Sequence, residues 1–214
     1  MSFSSNDRQV ARGVRDVVLA SPRFVAAPFV RRKHLRWGAT DAELAGAMPG
    51  DELVPRTSFD ATRAITIDAP PETVWPWIAQ LGFGRAGFYS YDLFDNAARP
   101  SATTILPEHQ HPQVGDWVPM ASKVNETTAF KIAALVPGEW MLWVKPNSTW
   151  SWKLVPLDGG RTRLITRLKQ HNDWAASPAM AAVTVVLFEV GDFPMMRKLL
   201  LGVKARAEGL ARHS

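Results

Sequence analysis

Apolar residues recur at helical spacing at both ends of the chain and alternate with polar residues in between. Near the N-terminus, four valines share one predicted helical face: Val10, Val14, Val17 and Val18. This spacing predicts a helix over residues 6–20, capped by Asn6 and ended by Ser21-Pro22.

The C-terminal part predicts a long helix with one interruption. Ser177 is the predicted N-cap and Pro178 the first helical position, while Gly191-Asp192 is expected to break or bend the helix. Beyond Pro194 the apolar positions follow a period of about 3.6 residues. They are Met196, Leu199, Leu200, Val203, Ala207 and Leu210. This stripe predicts a helix with one buried face.

Strand periodicity dominates the middle of the chain. Alternation predicts a strand over residues 62–68, and a helical pattern follows it over residues 69–82. From residue 115 to residue 170 the pattern is mostly strand, with hairpin turns predicted at Pro137-Gly138 and at the DGGR sequence of residues 158–161. Such short links join antiparallel neighbours, so the sequence predicts a meander.

The stretch GRAGFYSYDLF, residues 84–94, places glycines and aromatic rings ahead of a predicted short helix. Gly82, Gly84 and Gly87 allow positive φ angles, and Ser90 is the predicted N-cap. A phosphate-binding loop needs the Gly-x4-Gly-Lys-Ser/Thr pattern after a buried strand, and neither part is present. We therefore interpret the stretch as a glycine-hinged turn into a capped helix.

Composition and charge exclude several classes of function. The 214 residues contain no cysteine, which excludes disulfides, a thiolate nucleophile and cysteine metal ligands. Residues 1–36 carry a net charge of +6 and the remainder −1, so we divide the chain into a basic helical arm with its linker, residues 1–55, and a domain, residues 56–214. A near-neutral domain predicts no nucleic-acid partner. The lack of a long apolar segment or signal sequence predicts a cytoplasmic protein.

Six short motifs are spread over residues 36–208. They are RWGAT (36–40), PGDELVP (49–55), DAPPETVWPWIAQLG (68–82), GRAGFYSYD (84–92), VGDWVPM (114–120) and LLLGVKARAE (199–208). Together they resemble the SRPBCC or START-like superfamily, and in particular a bacterial subgroup related to polyketide cyclase/dehydrases. The resemblance implies an α+β helix-grip fold, in which a curved antiparallel sheet wraps a long C-terminal helix and two short helices follow the first strand. It also implies that residues 56–214 enclose a cavity for a hydrophobic ligand.

Aromatic side chains are the predicted ligand contacts, because rings offer a large apolar area with a polar edge. The predicted set is Trp77, Phe88, Tyr89, Tyr91, Trp117, Trp140, Trp143, Trp150, Trp152 and Phe188. In the resembled fold Phe88, Tyr89 and Tyr91 would sit near the cavity mouth. The alternative is that these rings fill the core and anchor the turn, and the sequence leaves both interpretations open.

Three polar side chains are the candidates for proton transfer if the cavity is catalytic: Tyr89, Glu108 and Arg167. Arg167 enters the cavity only if the arginine side of its strand faces inward. If Leu164 and Leu168 face inward instead, Arg163 and Arg167 lie on a solvated face, and Ile165 leaves this phase undecided.

No metal ion and no other cofactor is predicted. His109 and His111 have the spacing of a metal-binding pair, but they lie between two prolines and no further ligand is evident. A Ser-His-Asp set cannot be placed from spacing.

Three functions remain open at the level of sequence. The first is the binding of a hydrophobic small molecule, such as a lipid, polyketide or isoprenoid, without catalysis. The second is a cyclase, aromatase or dehydrase that uses the same cavity. The third is a regulatory module whose basic amphipathic segment, residues 6–36, contacts a membrane surface or a partner. Docking of the valine face onto the domain, or onto a second copy in a homodimer, is the alternative for that segment.

Overall fold

A computed structural model describes residues 5–26, 31–172 and 178–212. Its strands are β1 (Phe59–Ile67), β2 (Trp117–Pro119), β3 (Ala129–Val136), β4 (Trp140–Lys145), β5 (Ser148–Leu157) and β6 (Arg161–Gln170). Its α-helices are α1 (Ser5–Ala26), α2 (Arg31–Leu35), α3 (Asp41–Ala45), α4 (Pro71–Ala79), α5 (Asp92–Asp95), α6 (Pro178–Val186) and α7 (Phe193–Ala211). Short 3₁₀ turns cover Asp51–Leu53 and Pro107–His109, and a π-helical segment covers Leu187–Asp192.

The predicted meander and helix-grip arrangement are confirmed. All six strands pair antiparallel in the order β1-β6-β5-β4-β3-β2 and form one curved sheet, with β1 and β2 at its edges. Helices α4 and α5 follow β1, and α7 follows β6. Gly138 has a φ of 80°, in agreement with the predicted turn between β3 and β4.

Helix α1 continues past the predicted stop at Ser21-Pro22 to Ala26, so that prediction was wrong. Proline has no N–H to donate to the carbonyl of Val18, four residues earlier. The Ser21 hydroxyl donates to that carbonyl instead, at 2.8 Å. The backbone acceptor is therefore satisfied, and the helix runs through the proline.

One further helix prediction was wrong in detail. Helix α5 is a single turn that Ser90 does not cap, because the Ser90 hydroxyl donates to the carbonyl of Met195 at 2.9 Å. Gly191-Asp192, where a break or bend was predicted, falls in the π-helical turn that separates α6 from α7. The predicted cap Ser177 lies outside the described residues.

The inner, concave face of the sheet is built from rows of side chains that run across the strands. Strand register places Lys145, Ser148, Gln170 and Phe59 in one row at the end of the sheet, which we call the end row. The next row is Trp143, Trp150, Leu168 and Ala61, and the third is Met141, Trp152, Thr166 and Arg63. Leu164 and Leu168 therefore face inward, on the side of the tryptophans.

Helix α7 packs against β1 and α4 through its predicted apolar stripe. The residues Met196, Leu199, Leu200, Val203 and Ala207 are buried, while Leu210, at the end of the stripe, is exposed. A Cβ atom at Gly202 would lie 2.5 Å from the carbonyl oxygen of Tyr89. Glycine at this position therefore lets α7 cross directly over the backbone of the GRAGFYSYDLF stretch.

The outer face of the sheet carries the arginines of β6, but it is not solvated. The Arg163 guanidinium holds Glu43 through two hydrogen bonds of 2.7 and 2.9 Å. Glu43 also completes the capping box of α3 with Thr40. The Arg163–Glu43 pair holds the pKa of the Glu43 carboxyl down at about 2, although partial burial acts in the opposite direction.

Arg167 is likewise committed to structure on the outer face. Its guanidinium donates to Thr62 Oγ1, the carbonyls of Gly46, Glu43 and Leu44, and the Asp51 carboxylate. These five hydrogen bonds use every N–H of the side chain. Arg167 therefore has no donor left for a ligand.

Residues 34–54 wrap around the β1 edge of the sheet. The Trp37 carbonyl accepts a hydrogen bond from the Ala64 N–H at 3.1 Å, and the His34 ring stacks on Phe193 with 3.6 Å between centroids. The wrapping segment covers part of the exposed strand edge, which protects it from pairing with other chains. The division of the chain after residue 55 stays a prediction.

Helix α1 docks on the domain with a face other than its valines. The Phe24 ring lies 5.4 Å from the Tyr91 ring, Ala20 is buried, and the Asp16 carboxylate lies 3.2 Å from Lys198 Nζ. The predicted docking face is instead largely exposed, because Val10, Val14 and Val18 remain accessible. Within the described ranges, none of the helices combines the length and the apolar character that a membrane span requires.

Candidate functional site

Three tryptophans on the inner face of β4 and β5 form the centre of the candidate site. Ring centroids lie 5.2 Å apart for Trp143 and Trp150, 4.9 Å for Trp150 and Trp152, and 5.4 Å for Trp143 and Trp152. All three side chains are buried. We call them the tryptophan cluster. Alternating strand positions on adjacent strands bring them together.

The hydrogen bonding of the tryptophan cluster is incomplete. The Trp150 indole donates to Thr166 Oγ1 at 2.9 Å, but the indole N–H groups of Trp143 and Trp152 have no acceptor among the described residues. The Trp77 indole of α4 is also buried without an acceptor. Buried indole N–H groups usually find a partner, so these orphaned donors require an explanation.

Phenylalanines cover the tryptophan cluster and the end row. The Phe88 ring stacks on Trp150 at a centroid distance of 6.4 Å, and the Phe130 ring meets Trp150 edge-on at 5.9 Å. In the π-helical segment, the Phe188 ring stacks on Phe59 at 4.6 Å. Phe88 and Phe188 therefore lie on the inner face, where the sequence predicted ligand contacts.

Tyr89 is buried in the core and fully engaged in hydrogen bonds. Its hydroxyl accepts from Gln80 Nε2 at 2.8 Å and donates to the Trp77 carbonyl at 3.2 Å. The Arg206 guanidinium lies 4.2 Å from the ring centroid. Burial raises the pKa of the Tyr89 hydroxyl far above its ordinary value. These contacts favour the turn-anchoring interpretation of Tyr89.

The remaining predicted aromatic contacts lie away from the tryptophan cluster. Tyr91 packs under α1, and the Lys198 ammonium lies 4.1 Å from its ring centroid. Trp117 sits on an edge strand with Lys131 Nζ 4.4 Å from its ring. Trp140 is paired with Lys153 on the outer face, because it lies three positions from Trp143 and strand side chains alternate.

The three candidates for proton transfer are not brought together. Tyr89 is in the core, Arg167 is on the outer face, and Glu108 is exposed on a 3₁₀ turn. Glu108 lines a surface cavity of about 260 Å³ together with Arg85, His109 and His111. Burial and the Arg85 charge lower the pKa of the His109 imidazole. The cyclase-type mechanism has no support from this set of residues.

Four cavities surround the domain without entering the tryptophan cluster. Besides the one at Glu108, two lie along α1, with volumes of about 320 and 210 Å³, and both are lined in part by Tyr91. The fourth, of about 470 Å³, lies on the outer face between Arg32 and Lys169. None of these four is lined by Trp143, Trp150 or Trp152. In the part of the chain that the structure describes, no group of three or more histidine, aspartate or glutamate side chains is arranged to hold a metal ion.

Two polar residues near these features were missed in the sequence analysis. Lys145 lies in the end row with its Nζ atom 4.9 Å from the Phe130 ring centroid, and Asp95 of α5 is buried with no donor to either carboxylate oxygen among the described residues. Lys145 follows Trp143 by two positions, so the alternation of β4 could have placed it on the same face. Nothing local in the sequence marks Asp95 as buried.

Among known proteins, the chain is similar only to solved structures. No protein-family model matches the chain, and no curated protein matches it. A polyketide cyclase-like protein from Corynebacterium glutamicum is 16% identical, with a TM-score of 0.43 over 74% of this chain and 96% of that one. The Zhui aromatase/cyclase of a Streptomyces species is also 16% identical, with a TM-score of 0.39 over 70% and 93%. The KanY protein is 14% identical, with a TM-score of 0.40 over 72% and 100%.

The architecture follows from the chain's own topology. The strands form one antiparallel sheet in the order β1-β6-β5-β4-β3-β2, two short helices follow β1, and a long helix follows β6. The chain therefore has an α+β helix-grip fold.

Proposed function

We propose that the chain binds an apolar small molecule carrying a carbonyl or hydroxyl oxygen at the tryptophan cluster. The observation that carries the proposal is that two neighbouring buried indoles, Trp143 and Trp152, have N–H groups with no acceptor among the described residues. A ligand oxygen can accept a hydrogen bond from either indole and so satisfy that donor, while the surrounding rings bury the apolar part of the ligand.

The energetic reason is the penalty on an unpaired donor. A buried polar group without a partner costs about 1–3 kcal/mol, whereas a typical formed hydrogen bond contributes about 1 kcal/mol net. Trp143 and Trp152, whose ring centroids lie 5.4 Å apart, each carry such a donor, and an arriving acceptor removes the penalty on the donor that it satisfies. Apolar burial of the ligand adds about 25 cal/mol per Å² of surface removed from water.

None of the four cavities described above is lined by the tryptophan cluster, and in this proposal the covering rings move when the ligand binds. The π-helical segment that carries Phe188 is the part of the cover we expect to open, because π-helical turns are rare and occur often at functional sites. Phe188 then leaves Phe59, and the inner face becomes accessible from the end row.

The test uses Nile red, a neutral apolar dye with a carbonyl group whose emission rises in apolar surroundings. We expect saturable binding to the full chain, with quenching of tryptophan fluorescence. Trp143→Phe and Trp152→Phe remove the donors and are expected to weaken binding roughly 2- to 10-fold, corresponding to one neutral hydrogen bond.

The matched control is Trp140→Phe, the same change on the outer face of β4. It is expected to leave the dye affinity unchanged. No saturable binding by the wild-type chain, or equal loss in all three variants, would overturn the proposal. Native mass spectrometry of the purified chain supplies an independent measurement, with a co-purifying apolar compound as the expected result.

A second function is favoured by the exposed face of α1. Val10, Val14 and Val18 lie one turn apart with 39, 46 and 61% of their surface accessible, and Arg8, Arg12 and Arg15 lie together on another face of the same helix. A helix with an apolar face and an arginine-rich face is typical of helices that lie in the interface of anionic membranes. We propose that the valine face contacts such a membrane while a different side of α1 holds the domain.

Flotation with vesicles tests the membrane contact. The full chain is expected to float with vesicles that contain phosphatidylserine and to remain in solution with phosphatidylcholine alone. Val14→Asp combined with Val18→Asp should abolish flotation, because each places a charge in the apolar row. Val136→Asp, on an exposed valine of β3, is the control. Equal flotation of the double variant and the control would contradict the membrane proposal.

A further inference from the structure

The end row of the inner face contains a cation without a counter-ion. Two basic side chains lie on this face, Arg63 and Lys145. The Arg63 guanidinium is paired with the Asp192 carboxylate at 2.5 Å. Lys145 has no ion pair among the described residues, and its Nζ atom lies against the Phe130 ring at 4.9 Å from the centroid.

The position of Lys145 differs from that of an ordinary surface lysine. The side chain is half-buried and stands one row from Trp143 and Trp150 on the same face. Burial lowers the pKa of its ammonium group, and no charge opposes that effect. An anion placed beside Nζ would stabilise the ammonium and remove the penalty.

The end row is polar on β4, β5 and β6, and the only apolar member is Phe59 on β1. Ser148 and Gln170 stand next to Lys145 across β5 and β6, and the Gln170 amide nitrogen donates to the His171 carbonyl at 2.7 Å. Along β4 and β5 the inner face thus changes from polar to aromatic over two residues. A ligand that fits this face has a charged group, which lies at the end row, and an apolar portion, which lies on the tryptophan cluster.

We propose that Lys145 binds the carboxylate of an apolar carboxylic acid and thereby selects acids over neutral ligands at the tryptophan cluster. This inference rests on the proposed function, since it concerns the same site. The acid group forms a charge-assisted hydrogen bond with Nζ, and its hydrocarbon portion occupies the space that the rings open.

The experiment compares dodecanoic acid with its methyl ester as competitors of Nile red on the full chain at neutral pH. The acid is expected to bind roughly 10-fold more tightly than the ester, as for a hydrogen bond to a charged group. Lys145→Met should remove this preference without changing ester affinity, and Lys145→Arg should retain it. Lys153→Met, which removes a lysine from the outer face of β5, should behave as the wild type.

Ionic strength gives a measurement that needs no variant. Raising the NaCl concentration from about 0.05 M to about 0.5 M should reduce the acid preference and leave the ester unaffected, because salt screens a partly exposed charge pair. This readout decides the question even where Lys145→Met does not fold.

The outcomes separate the two proposals. If Nile red and the ester bind but the acid has no advantage, the role of Lys145 is overturned and the binding function stands. Retention of the acid preference in Lys145→Met would also overturn that role. If neither competitor nor the dye binds, the proposed function fails and the inference fails with it.

Discussion

Asp192→Ala is expected to destabilise the protein strongly. The Asp192 carboxylate and the Arg63 guanidinium are 6% and 2% exposed, and their charged atoms lie 2.5 Å apart. Removing the carboxylate leaves a buried cation whose remaining contacts include the His34 carbonyl, at 2.8 Å from Nε, and the Phe193 ring. Breaking one side of such a pair costs about 3–5 kcal/mol.

Thermal and urea unfolding provide the measurement. For a chain of this size each kcal/mol lowers the melting temperature by roughly 2–4 °C, so a fall of roughly 6–20 °C is expected. The double variant Arg63→Met with Asp192→Leu should recover most of the loss, since apolar side chains can replace a buried ion pair.

Asp68→Ala is the matched control for this ion pair. The Asp68 side chain is 65% exposed and lies 3.7 Å from Lys204 Nζ. Its removal should change stability by about 1 kcal/mol or less, as for other surface pairs. A loss from Asp192→Ala no larger than that of Asp68→Ala would show that the buried pair does not hold α7 to β1.

Asp95→Asn is expected to stabilise the protein at pH 8 and to have little effect near pH 4. Burial, followed by the nearby negative charge of Asp92, raises the pKa of the Asp95 carboxyl from 3.8 to about 7. The Ser90 hydroxyl donates to the Met195 carbonyl, both Asp95 oxygens lack a donor among the described residues, and the opposing effects of Ser90 and the Lys198 charge on the Asp95 pKa are smaller than that of burial.

The sign of the pH dependence follows from that shift. The folded state binds the proton more tightly than the unfolded state, so the contribution of Asp95 is fully present below about pH 4 and is lost as the pH rises through about 7. Above that point the chain must bury an ionised carboxylate. Asparagine avoids this penalty, and we expect a gain of roughly 2–4 kcal/mol at pH 8.

Urea unfolding at pH 4, 6 and 8 measures this effect. The control is Asp158→Asn in the exposed turn between β5 and β6, which should leave stability unchanged at all three values. An Asp95→Asn variant that is less stable than the wild type at pH 8, or whose difference does not vary with pH, would contradict the assignment.

Local patterns were sufficient for much of the fold. The hairpin turns at Pro137-Gly138 and at residues 158–161 are decided by adjacent residues, and their short links require antiparallel strands. The stripe that contains Leu199 and Val203 predicts the buried face of α7 because helical period is a local property. The predicted end of α1 at Ser21-Pro22 was wrong, because the Ser21 hydroxyl satisfies the carbonyl of Val18 that Pro22 leaves without a backbone donor.

The candidate site was predictable only in part. Trp143, Trp150 and Trp152 follow from strand alternation once register is known, but the assignment of Trp140 to the opposite face needed that register. Which side chains of β6 face inward could not be predicted from β6 alone, because the apolar Ile165 lies on the same side of the strand as Arg163 and Arg167. It was decided by residues 36–54, whose Glu43 and Asp51 neutralise Arg163 and Arg167 on the outer face.

The sequence by itself determined the antiparallel meander, the long C-terminal helix and the concentration of aromatic rings in the middle of the chain. All three depend on periodicity and turn chemistry between near neighbours. Only the tertiary structure decided that Arg167 is held on the outer face, that the indoles of Trp143 and Trp152 lack acceptors among the described residues, and that Lys145 has no ion pair among them. Those properties depend on which distant groups reach each donor or charge, and spacing along one strand does not contain that information.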